Sequence, residues 1–104
     1  VVTTLAGTGS SGSANGTGTS ASFYYPWGIT TDGTNLYVAE EFNHSIRQIV
    51  ISTGVVTYVA GTGSPGWANG TGTSASFYKP WGITTDGTNL YVADFGTNMI
   101  RQIE

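Results

Sequence analysis

The chain has 104 residues, enough for one domain with a small core; its 38% hydrophobic and 12% aromatic content separates it from disordered chains, although Gly, Ser and Thr fill 43 positions. A net charge of −3, with Arg47, Lys79 and Arg101 as the only Lys or Arg residues, argues against nucleic acid or an anionic membrane as partner, because both need clustered cations. No cysteine is present for a disulfide or thiolate site, and no apolar run approaches the roughly 18 residues of a membrane-spanning helix.

In chain order, Val1 to Ala6 reads as a strand and is followed by a Gly-rich stretch that matches GxGxxG from Gly7 to Gly12. A dinucleotide site would need a helix after that match to receive the pyrophosphate, and none is predicted, so the match is accidental. Trp27 to Thr31 and Asn35 to Glu40 are β-branched and aromatic runs joined through Asp32-Gly33, a strong hairpin signal. Ser45 to Ile51 follows, then a turn at residues 52–54, then Val55 to Ala60, completing a four-stranded antiparallel meander. Adjacent apolar residues in Leu36-Tyr37-Val38-Ala39 suit a sheet covered on both faces. Residues 61–79 read as a long loop, after which the pattern repeats and ends on a third strand, Met99 to Glu104.

Shifting the sequence by 54 residues aligns 1–50 with 55–104, with 38 identical positions. Repeat 1 is residues 1–54 and repeat 2 is residues 55–104, and such close copies point to recent duplication or design. The opening at Val1, with no start methionine, suggests a processed, excised or engineered segment.

Pro-x-Gly-Ile, Asp-Gly, Leu-Tyr-Val-Ala-Glu/Asp and Ile-Arg run from Pro26 to Arg47 and again from Pro80 to Arg101, with Asn43 also matching in the first copy. This pattern resembles the NHL repeat of six-bladed β-propellers, especially a bacterial form with a long Gly-rich insertion before the Pro. The resemblance implies an all-β fold of two four-stranded antiparallel blades per chain. With no apolar run of membrane-span length a soluble protein is expected; its compartment is not assigned, and the resemblance is compatible with an extracytoplasmic bacterial location.

Two blades cannot close a ring that takes about four to eight. The first strand and the last strand are complementary edges, so the N-terminal strand is expected to complete the last blade of a neighbouring chain. Val1, Val2, Leu5, Met99, Ile100, Gln102 and Ile103 are the expected oligomer interface. Six blades, the usual number in the family, would make the closed propeller a homotrimer.

Twelve positions differ between the copies, and nine of them (11, 13, 25 and 40–45) fall in loops expected on one face. Trp27 and Trp81, beside the axis on that face, suit stacking on a glycan or another neutral ligand, with Tyr25, Lys79, Trp67, Glu41 and His44 adding selectivity. A protein ligand fits the same face. Arg47 and Arg101 are expected to lock to Glu40 and Asp94. A single histidine, no cysteine and no matched acid and base argue against an enzyme, a metal or a cofactor. The expected function is a non-enzymatic, self-assembling scaffold or binding module, with a lectin-like propeller as the alternative.

Overall fold

Asp32 and Asp86 shape the two hairpins from within their own turns. Asp32 Oδ1 accepts the N–H of Thr34 (2.9 Å) and Asn35 (2.8 Å), its Oδ2 accepts the Tyr37 hydroxyl (3.0 Å), and Gly33 supplies the left-handed step at φ 93°. Asp86, Gly87 and Tyr91 repeat this arrangement. The donated hydrogen bonds hold both carboxyls below the ordinary aspartate value.

A computed structural model describing all 104 residues gives eight strands in two antiparallel sheets. β1 (Gly16–Thr17), β2 (Pro26–Thr31), β3 (Asn35–Glu40), β4 (Ser45–Val50) and β5 (Val55–Ala60) form one sheet in the order β1-β5-β4-β3-β2. β6 (Pro80–Thr85), β7 (Leu90–Asp94) and β8 (Met99–Ile103) form the other. The meander of the first blade therefore crosses the sequence repeat boundary, drawing β5 from the second copy.

The sheets pack face to face. Ala39, Ile46 and Ala60 of the first blade meet Phe77 and Val92 of the second, with Ile83 against the same cluster. A second cluster, Ala21, Val38, Ile49 and Val56, lies on the opposite face of the first blade. Residues 38 and 39 thus serve different faces, as strand alternation demands and as their consecutive apolar run implied. The backbones of β2 and β6 come so close that a Cβ on Gly28 would collide with the Trp81 carbonyl oxygen and reach 3.1 Å from Gly82 Cα.

The structure corrects three local expectations. Residues 1–6 form no strand, because a strand needs a hydrogen-bonded neighbour and the chain places none beside them; Leu5 and Ala6 instead lie over the face of the first blade with Phe23, Trp27 and Ile29. The first sheet has a fifth strand, since the Gly-rich insertion returns to pair Gly16 with Val56 and Thr17 with Val55. Residues 61–79 are not wholly loop: Gly72–Ser74 form a 3-10 turn, matched by Gly18–Ser20, and Pro65 bridges to Phe77. Neither the GxGxxG match at Gly7 to Gly12 nor its copy at Gly61 to Gly66 is followed by an α-helix, so neither has the anion site a dinucleotide would use. No helix is long and apolar enough to cross a membrane.

Candidate functional site

The insertion is fastened to the blade by one buried guanidinium. Arg47 Nη1 donates to Glu40 Oε2 (3.1 Å) and to the Ser22 carbonyl (2.9 Å), while Nη2 donates to the Ala14 carbonyl (2.9 Å) and to Asn15 Oδ1 (3.0 Å). The rings of Phe23 and Tyr58 flank it. Glu40 Oε1 in turn accepts the Tyr24 N–H and Asn43 Nδ2. Burial pushes the Glu40 carboxyl up from its ordinary value, against the opposing pull of Arg47 and these donors. Arg101 grips Asp94, Ser76, Ala68 and Asn69 in the same way. The spacing of these residues suggested the acid–arginine pairs; that each guanidinium also holds the carbonyls of a loop about 30 residues earlier follows only from the tertiary structure.

This lock presents residues 24 and 25 on one face. Tyr25 is held at φ 53° with its carbonyl accepting the Glu41 N–H (2.9 Å), and the Tyr24 carbonyl accepts the Phe42 N–H. Tyr24, Tyr25 and Phe42 form an exposed cluster with ring centroids 4.8–5.6 Å apart. Lys79, the counterpart of Tyr25 in the second copy and also at φ 53°, brings its Nζ to 5.5 Å from the centre of the Phe42 ring. Variable loops from both blades therefore meet at one junction.

His44 joins that junction from the other side. Its Nδ1 accepts the Lys79 backbone N–H at 3.0 Å, and its ring stands edge-on to Tyr78. Burial and the Lys79 charge hold its pKa below the ordinary 6.5, while Asp94 and Glu41 pull the other way. The unfolded chain therefore takes up the proton first, so stability is fully retained above about pH 6.5 and declines as pH falls below it, until the folded protein is also protonated. Urea midpoints should drop between pH 7 and pH 5. His44→Asn, which installs the residue found at 98 in the same left-handed conformation (φ 59°), should flatten that drop; an unchanged slope would refute the role of His44.

Trp27 and Trp81 occupy β-bulges, since Pro26 and Gly28 pair with consecutive residues of β3 and Pro80 and Gly82 do so on β7. The bulges turn the two indoles onto each other, with centroids 3.9 Å apart and planes within 15°. Phe95 covers the other side of Trp81 at 4.5 Å, and the buried Trp81 indole N–H has no acceptor. Trp81 thus offers no free ring face, whereas Trp27 keeps one. Trp67 is 73% exposed and takes part in none of these aromatic or cation–ring contacts. Glu41 is buried beneath the loop. Of the seven expected site residues, Tyr25, Lys79 and His44 line the junction. Tyr24 and Phe42 were missed, although Phe42 falls within the variable stretch 40–45. No group of three or more His, Cys, Asp or Glu side chains is placed to hold a metal ion.

No protein-family model matches the chain. In an alignment of 98 positions that covers 89% of the chain, it is 35% identical to NHL repeat-containing protein 2 of Bos taurus, and it spans 14% of that protein. A Bacteroides thetaiotaomicron protein of unknown function superposes with a TM-score of 0.87 at 28% identity, over 93% of this chain and 26% of that one. An auxiliary nutrient binding protein of Bacteroides ovatus gives a TM-score of 0.81 at 25% identity, over 91% of this chain and 26% of its own. A second Bacteroides thetaiotaomicron protein, provisionally named a phosphatase, shares the fold with a TM-score of 0.81 at 21% identity, over 97% of this chain and 26% of its own.

Proposed function

Given that the chain is made of NHL-type β-propeller repeats, we propose that it serves as a non-enzymatic propeller scaffold and binding module, completed blade to blade by further copies of itself. The supporting observation is a comparison built into the molecule. Ile46 is fully buried at the junction of the two blades, whereas its repeat counterpart Ile100 is 76% exposed. Ala39 is buried and Ala93 is exposed. On the opposite faces Ile83 is half-buried against the junction, and its counterpart Ile29 is 61% exposed. The uncovered back of the second blade and the front of the first, over which only the N-terminal segment with Leu5 and Ala6 lies, are thus largely copies of two surfaces that already fit each other. Burying a large aliphatic side chain contributes about 1.5–3 kcal/mol, so both faces favour association.

The outer edge of the second blade carries the same message. β5 fills the place outside β4, and the matching groove outside β8, bordered by Ala60, Gly70, Thr71 and Phe77, holds no strand. Residues 1–6 match β5 at four of six positions, with Thr4 for Tyr58 and Leu5 for Val59, and pair with nothing in their own chain, so a second copy can supply a strand that fits. Such a contact is heterologous, and it closes when the blade number is met. Three copies give the six blades usual in this family.

Light scattering after gel filtration should give three times the 10.8 kDa chain mass at micromolar concentration. A folded monomer would overturn the assembly. A binding role also draws support from the 25% identical nutrient-binding neighbour and from the loop face, where side chains differ between copies while the frame stays constant.

A further inference from the structure

We propose that the junction of Tyr24, Tyr25 and Phe42 with Lys79 is a binding site for an acidic saccharide, whose sugar ring lies on the aromatic faces while its carboxylate meets the Lys79 ammonium. This rests on the binding-module reading above and names the ligand class of its loop face.

The first ground is the tyrosine hydroxyls. Tyr37 and Tyr91 donate to Asp32 and Asp86, and Tyr58 donates to the Ser13 carbonyl at 2.6 Å, so these three are structural. The hydroxyls of Tyr24, Tyr25 and Tyr78 make no bond within the chain, and all three residues are exposed around the junction. Phenol groups that combine an open apolar face with an unused donor and acceptor match a sugar, which presents C–H faces and hydroxyl edges together.

Charge supplies the second ground. Arg47 and Arg101 are sealed in buried ion pairs, which leaves Lys79 as the only Lys or Arg side chain on the surface of a chain with net charge −3. It is set at a left-handed backbone position that few lysines adopt, where its own N–H is held by His44. Its ammonium already lies against the Phe42 ring, so a ligand carboxylate binding there also meets an aromatic surface.

The repeat limits the site to one junction per chain. At the equivalent positions of the second copy Lys79 replaces Tyr25 and Gly96 replaces Phe42, and a Cβ on Gly96 would strike the Tyr78 ring. All four proposed residues lie on the two blades of one chain, so the site is complete whatever the assembly state.

The test is a titration of the 104-residue chain with oligogalacturonate and, separately, with a neutral malto-oligosaccharide, read by amide chemical shifts. Oligogalacturonate should move the signals of residues 24, 25, 42 and 79 and bind about five- to tenfold tighter than the neutral oligomer, with the difference shrinking as salt is added. Lys79→Tyr, the residue of the first copy at this position, should abolish that preference while leaving the shifts on Phe42. Phe42→Gly, the residue of the second copy, should weaken both ligands. Equal binding of the two oligomers, shifts elsewhere on the surface, no binding, or binding unaffected by both substitutions would each overturn the proposal. Binding by a chain that stays monomeric would sustain the site while removing the self-assembly.

Discussion

Gly82→Ala should leave each chain folded and reduce the proposed assembly to single chains. A Cβ at Gly82 meets only the Ala93 side chain at 3.6 Å, an ordinary contact, so the isolated second blade accommodates it. At the repeat counterpart Gly28 the same methyl collides with the Trp81 carbonyl of the blade behind. If another copy stacks on the second blade as the second stacks on the first, the methyl at 82 meets that backbone and forces the junction apart. Overpacking of this kind costs about 1–3 kcal/mol, and every junction between chains bears it once. Ile100→Asp should act at the same surface by leaving an unpaired carboxylate in an apolar contact. The two variants should show far-ultraviolet dichroism and urea midpoints like those of the dissociated parent, and a light-scattering mass of one chain. Gly28→Ala should instead lower the urea midpoint, because its clash lies inside the chain. Retention of the parent mass by both Gly82→Ala and Ile100→Asp would show that copies do not meet through this face.

Arg47→Met should cost about 3–5 kcal/mol, a large share of the roughly 5–15 kcal/mol that holds a small domain together. The substitution keeps most of the apolar stem, but it removes the guanidinium from between Phe23 and Tyr58 and leaves the buried Glu40 carboxylate without its counter-charge. It also strips the Ser22 carbonyl of its donor and leaves the Ala14 carbonyl with the Ser22 N–H alone. Because Glu40 also accepts the Tyr24 N–H, the loss should spread to the loop face, and amide signals of residues 24 and 25 should broaden or shift. The double variant Arg47→Met, Glu40→Met should recover part of the stability, since the main penalty is an orphaned charge. Urea unfolding monitored by tryptophan fluorescence checks both. A single-variant loss below about 1 kcal/mol would mean that the insertion is held by its backbone pairing alone.

Nearly all of the strand framework was legible because its signals are local. Asp32-Gly33 specifies a turn within four residues, and the Leu36 to Ala39 run specifies a sheet with two covered faces. β1 was not legible, since Gly16 disfavours a strand, Thr17 stands among glycines with no β-rich run around it, and both owe their pairing to Val55 and Val56 about 40 residues on. The candidate site was half legible. Variation between the copies pointed to residues 25 and 40–45, but the inclusion of Trp67 and the omission of Tyr24 show the limit of that signal. Trp67 differs from its counterpart Ser13 yet stands alone, whereas Tyr24 is identical in both copies and gains its place from the lock beneath it.

The sequence by itself determined the repeat, the hairpins, the acid–arginine pairs and the lack of an exposed basic surface, because each follows from composition or from residues near one another in the chain. Only the tertiary structure decided which blade faces are covered, that Trp27 and Trp81 spend their ring faces on each other, and that Lys79 meets Phe42 across two blades. Identical residues such as Ile46 and Ile100 have one sequence environment and two solvent environments, since burial depends on what the fold stacks against each face.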